Sequence, residues 1–182
     1  SFSQTTDSMI SESKTGGVWQ KNSLDVFTRD ANCDVTSVHS FTWDQGSQSW
    51  VNSQLSSYTS GNNGVLLETV NQSWDAANSV WVNSSKSTFF TSEQGTKIYQ
   101  NWDPGSGTWI NSYKLWESLD ALGRSVTSEF DLYSNEQWQR IQRSLLSYDD
   151  RNRVSSSVFQ VWSNSAWLNN GKTTYDYTSD GK

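Results

Sequence analysis

Apolar and polar positions alternate in a pattern that returns through the whole chain. Six tryptophans mark successive copies of it: Trp19, Trp50, Trp81, Trp109, Trp138 and Trp167. The interval between markers is nearly constant. A fixed period of about 20 to 50 residues is typical of repeat proteins, in which one unit cannot bury its apolar face alone.

A turn position follows each marker at a constant distance of fourteen residues. Most copies place Gly or Asn there, the residues that best tolerate a backbone with positive φ. Cys33 takes the position once, without an evident reason. We therefore expect a single repeat array over residues 1–182, with units that close near 33, 64, 95, 123, 152 and 181.

Between markers and turns the residues indicate β-strands. In segments 35–43 and 50–60, β-branched and aromatic residues recur over about nine positions between clusters of Asp, Gly, Asn and Ser. Each unit then contains two antiparallel strands. The predicted fold is all-β, with tandem antiparallel β-hairpin repeats, about six units of roughly 28–31 residues, that form an elongated or spiralling array.

Two irregularities in length bear on the strands. The hairpin loop shortens by two residues in the last two copies, an even number that keeps the flanking aromatics on one face. The distance from turn to next aromatic is ten residues in most copies but seven from Gly95 to Trp102. An odd deletion inverts the side-chain alternation, so we predict a bulge or a shortened strand near Lys97–Asn101.

Two segments also have a helical pattern. Residues 134–146 combine a capping box at Ser134 and Gln137 with apolar side chains at helical spacing, and residues 113–123 place four apolar side chains before a Gly. Alignment with the other copies favours strands in both, since tertiary context outweighs propensity differences below about 1 kcal/mol per residue.

Aromatic residues bracket every hairpin loop from the second unit onward. We expect them to form a row along one margin of the sheet, extended by Trp19, whose rings stack or pack edge to face and replace a conventional core. Exposed rings could also stack on sugars, so this row is the candidate binding site. Its members are Trp43, Trp50, Trp74, Trp81, Trp102, Trp109, Tyr133, Trp138, Trp162 and Trp167. The first unit is degenerate, with Lys14 or Glu12 where later copies have an aromatic.

Composition limits the classes of partner. Only 33% of residues are hydrophobic while 14% are aromatic, which argues against a deep aliphatic core. The net charge is −6 without a basic stripe, so we expect no nucleic-acid partner. No apolar run approaches the roughly 18 residues of a spanning helix, so we expect no membrane insertion. One cysteine excludes an internal disulfide and leaves the compartment open.

Few residues suggest chemistry. Asp44, Asp75 and Asp103 follow an aromatic and could bind calcium, yet they occur only in the longer loops, as turn-capping residues would. The Asn two residues after most markers is expected to bond to neighbouring strands. His39 has no repeated carboxylate or nucleophile partner, and the pair Asp149 and Asp150 lies in a turn. We therefore predict no catalytic residue, no metal site, no cofactor and no enzyme activity.

Two segments resemble a known repeat family. Residues 27–37 and 148–156 look like the tyrosine–aspartate turn of YD/RHS repeats, with a Tyr-Asp pair at Tyr148 and again at Tyr175. The unit Trp, six-residue loop, Trp-Val-Asn-Ser is similar to hairpin repeats of large bacterial surface proteins exported by type IX secretion. The resemblance implies an extracellular or cell-surface location and a shell, stalk, filament or adhesin built from β-repeats.

The function expected from these observations is that of a structural repeat module in a surface appendage, filament or adhesin stalk. Its expected partners are further repeats of the same chain, since the array should continue beyond both ends, and sister chains in a homo-oligomer or filament. Two alternatives stay open: a carbohydrate-binding adhesin module whose Trp rings contact surface glycans, and a shell segment of an RHS-type toxin.

Overall fold

The chain folds into one antiparallel sheet of twelve strands arranged in sequence order, from β1 to β12. The structure is a computed structural model that describes residues 6–61, 65–90 and 95–178 of the 182. The strands are β1 (Thr6–Thr15), β2 (Val18–Arg29), β3 (Val35–Asp44), β4 (Ser49–Ser60), β5 (Leu66–Asp75), β6 (Val80–Phe90), β7 (Thr96–Asp103), β8 (Thr108–Leu119), β9 (Ser125–Ser134), β10 (Gln137–Tyr148), β11 (Val154–Ser163) and β12 (Ala166–Thr174).

The expected all-β antiparallel class is confirmed, and the helical alternatives are wrong. Residues 137–148 form β10 and residues 108–119 form β8, so both segments with helical spacing are strands. Their polar residues pair with neighbouring strands, and this pairing outweighs a weak local preference for helix. No helix long and apolar enough to cross a membrane is found among the described residues.

The hairpin loops are of two kinds, and each kind has its own backbone chemistry. Short loops have two residues with positive φ, as at Asn135 (50°) and Glu136 (61°), which is the type I′ combination that suits strand twist. Long loops have four residues and begin after Asp44, Asp75 or Asp103. Because the two kinds differ by two residues, the flanking aromatics face each other in both, as predicted.

The turns between hairpins have the predicted backbone at four of the six closing positions. The backbone φ angle is 68° at Cys33, 81° at Gly95, 76° at Gly123 and 62° at Asn152. The other two closing positions, Gly64 and Gly181, lie outside the described residues. Cys33 therefore occupies a left-handed conformation that a side chain with a Cβ disfavours.

Strand β7 is shortened, as the spacing from Gly95 to Trp102 predicts. It has 8 residues, whereas the other odd-numbered strands have 10 each.

A bulge occupies the third position after the marker tryptophan in each hairpin whose register is resolved, and the sequence did not predict it. In the second hairpin Phe41 faces Asn52 while Ser40 faces Gln54, so Ser53 is the extra residue. Equivalent extra residues occur in four other hairpins. They are Asn22, Ser84, Ile141 and Asn170.

The bulge corrects the expected alternation of side chains along β4. Simple alternation from Trp50 places Gln54 and Ser56 on its own face. In the structure Leu55 faces His39, which shares a face with Trp43, so Leu55 and not Gln54 lies on the face of the tryptophans. One extra residue inverts every later side chain in the strand.

Contacts divide the chain into two units, Ser1–Thr88 with Asn101–Ile110 and Phe89–Gln100 with Asn111–Lys182. In the first unit one face carries the ring pairs together with Leu24, Phe41 and His39. Its other face carries Phe27 and Val38, which face each other, and a network of polar, hydrogen-bonded side chains. Ser56 donates to Asn71, and Asn71 in turn donates to Ser85, which links three strands.

In the second unit the distribution is different. The face with the ring pairs carries charged residues such as Lys114 and Asp131, which face each other on β8 and β9. The opposite face holds an aromatic cluster in which Tyr99 stacks on Tyr113 with ring centroids 4.2 Å apart, and Phe130 lies 5.5 Å from Tyr113. Burial, followed by the neighbouring Tyr99, raises the pKa of Tyr113.

No hydrophobic side chain is fully buried in the described parts of the chain. The most buried residues are polar, Thr96 at 2% exposed and Asp131 at 7%. Several large apolar residues lie open to solvent, among them Val18, Trp19 and Leu122. Apolar transfer into a core therefore contributes little here, and strand pairing and side-chain contacts must supply most of the stability.

Candidate functional site

The candidate aromatic row consists of separate pairs, each closing one hairpin. Within a pair the two residues face each other directly on neighbouring strands, as Trp43 and Trp50 do. The rings meet edge to face, with centroids 5.0 or 5.1 Å apart. The pairs are Trp43 with Trp50, Trp74 with Trp81, Trp102 with Trp109, Tyr133 with Trp138, and Trp162 with Trp167.

Basic side chains, rather than further rings, connect one pair to the next in most hairpins. Lys21 lies 4.4 Å from the ring of Trp43, and Lys86 lies 5.3 Å from Trp109. Farther along, Lys114 lies 5.2 Å from Trp138 and Arg143 lies 4.5 Å from Trp167. Each cation belongs to the hairpin before the ring that it covers. Such cation–π contacts contribute about 0.5–1 kcal/mol at exposed sites.

At one junction a histidine takes the place of the cation. The His39 ring stacks on Phe41 at 4.0 Å and meets Trp81 edge to face at 5.2 Å. Its Nε2 donates to Asn52 Oδ1 at 3.0 Å. His39 is thus engaged in packing and hydrogen bonding, as expected of a structural histidine.

The recurring asparagine two residues after the marker accepts a hydrogen bond from the facing strand. Gln72 Nε2 donates to Asn83 and Gln100 Nε2 to Asn111, each over 3.0 Å. Gln160 donates to Asn169 over 2.6 Å. The expectation that this asparagine bonds to neighbouring strands is confirmed, with the partner in the same hairpin.

Two tryptophans depart from the paired arrangement. Trp19 faces Lys14 across the first hairpin loop, with the ammonium group 6.0 Å from its ring, so a cation replaces the missing aromatic. Trp116 faces Glu129 on β9. Among the described residues Trp116 makes neither a ring contact nor a cation contact, and the sequence likewise placed it outside the row.

The loop aspartates cap turns. Asp44 accepts bonds from the backbone amides of Gly46 and Ser47 and from the hydroxyl group of Ser47. Asp103 has the matching set, and Asp75 bonds the side-chain amide of Asn78 instead. The side-chain bond from Ser47, Asn78 or Ser106 is the main cause that lowers the pKa of these carboxyl groups.

At the opposite ends of the strands, an aspartate and an arginine organise the turns between hairpins. Asp149 Oδ1 accepts from the backbone amides of Arg151 and Arg153, and its Oδ2 pairs with the Arg153 guanidinium group at 2.8 Å. Asp120 and Arg124 repeat this arrangement, with an ion pair of 2.6 Å. These bonds lower the pKa of Asp149, chiefly through the Arg153 amide, and that of Asp120, chiefly through the Arg124 side chain.

A tyrosine of the following hairpin contacts each of these two turns. In the last hairpin the structure gives this role to a different tyrosine from the one that the sequence indicates. The Tyr148 hydroxyl donates to the Ser125 carbonyl, while Arg124 lies 4.3 Å from the Tyr148 ring. In the last hairpin Tyr177 makes the equivalent contacts, with Val154 and Arg153. The Tyr-Asp pairs in the sequence match Tyr148 with Tyr175, but the residue with the equivalent contacts is Tyr177, two residues later.

A charged pocket of 240 Å³ lies on the ring face of the second unit, lined by Lys114, Trp116, Glu129, Asp131 and Arg140. Lys114 pairs with Asp131 at 2.9 Å and Arg140 with Glu129 at 3.4 Å. Burial, with the nearby Asp131 second, raises the pKa of Glu129. The acids and bases neutralise each other, and Asp131 Oδ1 is buried without a hydrogen-bond partner among the described residues.

The described residues contain no group of three or more His, Cys, Asp or Glu placed to hold a metal ion. Cys33 is a free, exposed cysteine. Asp149 and Asp150 lie in the turn that follows β10, and Asp149 is committed to the hydrogen bonds described above. Among the described residues the arrangement provides repeated packing contacts.

No protein-family model matches the chain, and no curated protein matches its sequence. The fold has solved counterparts. A protein of unknown function from Bacteroides fragilis NCTC 9343 is similar over 77% of this chain and 92% of its own, with 13% identity and a TM-score of 0.50. At this identity the similarity is one of fold.

Two further structures are less similar, and both are DUF3836 family proteins. One, from Bacteroides vulgatus ATCC 8482, has 16% identity over 57% of this chain and 89% of its own, with a TM-score of 0.39. The other, from Parabacteroides distasonis ATCC 8503, has 17% identity over 59% of this chain and 88% of its own, with a TM-score of 0.31.

Proposed function

We propose that this chain is a structural β-hairpin repeat module of a bacterial extracellular surface protein, such as an appendage, a filament or an adhesin stalk. The observation that carries the proposal is the repetition of similar contacts in successive hairpins. An aromatic pair closes each of five hairpins. The hairpins β5–β6 and β7–β8 add an amide bond between their strands and an aspartate-capped loop.

The absence of a buried apolar core among the described residues supports a structural role. In such a sheet, a hairpin is stabilised by its neighbours, so stability is approximately a sum of local terms and can be extended by adding units. This is the property that a stalk or filament requires. The finer description, an elongated or spiralling array of six repeats, belongs to this proposal.

The surface location is proposed from the sequence resemblance to YD/RHS-like repeats and to hairpin repeats of proteins exported by type IX secretion. In the resembling segment, Asp149 and Arg153 act together in one turn, while Tyr148 bonds the Ser125 carbonyl after the preceding turn. A toxin shell would use the same architecture, and the flanking sequence distinguishes a shell from a stalk.

The rival function, glycan binding through the tryptophan row, has less support. A ring that binds a sugar must have an exposed face. The paired rings are half-buried, and the side chain of a lysine or arginine lies over several of them. A structural role predicts that the pairs matter for stability and that sugars do not protect them.

The test compares two tryptophan substitutions on the second unit. Trp162→Ala removes a ring pair and the contact with Arg140, which lies 5.1 Å from the ring. We expect it to lower the free energy of unfolding by about 2 kcal/mol. The matched control Trp116→Ala, which removes an unpaired ring, should cost clearly less, as measured by urea denaturation.

A second measurement separates the rival functions. Tryptophan fluorescence with iodide quenching, repeated with a panel of polysaccharides, should be indifferent to the sugars in the structural case. If one polysaccharide protects the fluorescence of the wild-type chain and Trp162→Ala abolishes that protection, the row is a binding platform. Antibody labelling of intact source cells tests the surface location, and labelling that requires lysis would contradict it.

A further inference from the structure

We infer that a second copy of this chain extends the sheet by placing its β1 against β12 of the first copy, in the register used between hairpins inside the chain. The inference deepens the proposed structural role by naming the partner and the surface. It concerns β1 and β12 because they are the end strands of the sheet order, each paired on one side.

Both end strands have the geometry of interior strands. The hairpin β1–β2 has its bulge at Asn22 and the hairpin β11–β12 has its bulge at Asn170, the third position after the marker in each case. Lys14 faces Trp19 and so occupies the position of the first aromatic of a pair. The outward backbone groups of both strands are therefore phased like those of strands that already have two neighbours.

A single rule describes the pairing between hairpins inside the chain. The fifth residue after the marker faces the residue two before the first aromatic of the next hairpin. The rule holds at every junction whose register is resolved: Leu24 with Phe41, Leu55 with Gln72, Lys114 with Asp131, and Arg143 with Gln160.

Applied to the two end strands, the rule places Lys172 of one copy opposite Glu12 of the next. Lys172 is the fifth residue after Trp167, and Glu12 is two before Lys14. Both side chains are exposed. The interior junction with Lys114 and Asp131 shows what this combination does at this position, since their charged groups lie 2.9 Å apart.

The same register brings exposed apolar residues together. Three positions farther along, Tyr175 comes to face Met9, as Phe27 faces Val38 inside the chain. Tyr175 is 43% exposed and Met9 is 55% exposed. The backbone of Tyr175 still pairs with β11, through its amide and the Ser155 carbonyl, so it continues the line of β12. A methionine sulfur against an aromatic ring is a favourable contact.

Complementary ends on one chain make a heterologous contact, which leaves a free β1 and a free β12 after each addition. Association of this kind is open-ended unless the ends meet. Opposite charges that face each other on neighbouring strands stabilise their pairing, whereas like charges destabilise it. Reversing one charge should therefore weaken the contact between copies without disturbing either hairpin.

The experiment measures the mass distribution of the full chain by light scattering during gel filtration over a range of concentrations. We expect the wild-type chain to associate as concentration rises. Lys172→Glu and Glu12→Lys should each raise the concentration needed for association about tenfold or more. The control Asp150→Lys reverses the charge of an exposed turn residue and should leave association unchanged.

Mixing supplies the decisive comparison. K172E alone places two acidic residues opposite each other at the joint, and E12K alone places two basic ones. In an equimolar mixture each joint between unlike chains can pair an acid with a base, so association should return towards the wild-type level. A wild-type chain that stays monomeric, or reversals that change nothing, or a mixture no better than its components, would overturn the inference. The stability and location tests of the structural role are unaffected by that result.

Discussion

At the scale of single residues, much of this fold depends on side chains that satisfy or tolerate unusual backbone. Asp44, Asp103 and Asp149 bind turn amides that the strands leave unpaired. Left-handed residues close the loops, and not all of them are suited to it. Glu136 has a φ of 61° and Cys33 a φ of 68°, although neither is a residue that favours this conformation.

Glu136→Gly should stabilise the protein. It converts the loop to Asn-Gly, the preferred type I′ sequence, and relieves a left-handed conformation that costs an L-residue about 1–2 kcal/mol. Because glycine also gains freedom in the unfolded chain, we expect a net increase of about 0.5–1 kcal/mol in the free energy of unfolding. Glu136→Ala removes the charge but keeps the Cβ, and a similar gain from it would contradict this explanation.

The turn aspartates should make stability fall in acid. Their pKa values are lowered in the folded chain, so their contribution is fully present above the unfolded value of about 3.9 and is lost as the pH falls through the folded values. Thermal unfolding should therefore occur at lower temperature at pH 2–3 than at pH 6.

One substitution assigns part of this effect to a particular turn. Asp149→Asn should flatten the loss of thermal stability between pH 6 and pH 2, because one of the lowered carboxyl groups no longer titrates. Asp150→Asn changes the exposed neighbour, to which no amide in the described turn donates, and serves as the control. Equal flattening by both variants would assign the effect to net charge instead of the turn.

At the scale of strands and hairpins, the constant position of the bulge is the organising feature. The extra residue lies three positions after the marker in five hairpins, and it decides which face Leu55 and later residues occupy. One extra residue therefore decides which side chains beyond the bulge share a face with the tryptophans.

Inserting a second serine after Ser84 should be far more damaging than deleting Ser84. The deletion removes the bulge but leaves Ser85 facing Asn71 and Lys86 facing Val70, so Lys86 stays on the face of Trp109. The insertion adds a second extra residue, which shifts Lys86 to the opposite face or breaks the ladder, so we expect a decrease of several kcal/mol in the free energy of unfolding, measured by urea denaturation. Ser84→Ala keeps the residue count and removes only an exposed hydroxyl, so it should lie within about 0.5 kcal/mol of wild type.

The sequence predicted the strands, the facing aromatics, the left-handed closing residues and the short β7, because each rests on spacing. It could not show the bulges, since Ser53 and Ser84 lie in serine-rich and asparagine-rich stretches where either alternation looks alike. Nor could it show the cations over the rings. Lys21 and Trp43 lie on different hairpins and are distant in sequence, so their contact depends on the register.

At the scale of the whole molecule, each hairpin contacts its neighbours in the sheet, and no buried apolar core is found among the described residues. Proteins built in this way have stability that varies along the chain, since end units have one neighbour and interior units have two. The end strands also have one row of free backbone groups each.

Hydrogen exchange should therefore be graded along the sequence. We expect the amides of β1 and β12 to exchange fastest and those of interior strands such as β4 and β10 to exchange slowest, as measured by mass spectrometry of dilute protein. At concentrations that promote association, protection of β1 and β12 should rise selectively. Uniform protection along the chain would indicate a single cooperative unit instead.

The ring pairs also determine how this protein absorbs light. Two indoles held edge to face with centroids 5.0 or 5.1 Å apart couple their electronic transitions, and four tryptophan pairs repeat nearly the same geometry. Because the four pairs occupy the same place in their hairpins, we expect their exciton bands to add and the far-ultraviolet circular dichroism spectrum to contain an aromatic couplet on top of the backbone signal. The couplet will distort the fractions of helix and strand that are estimated from such a spectrum. Its amplitude should rise with the number of hairpins in which the ring pair is formed.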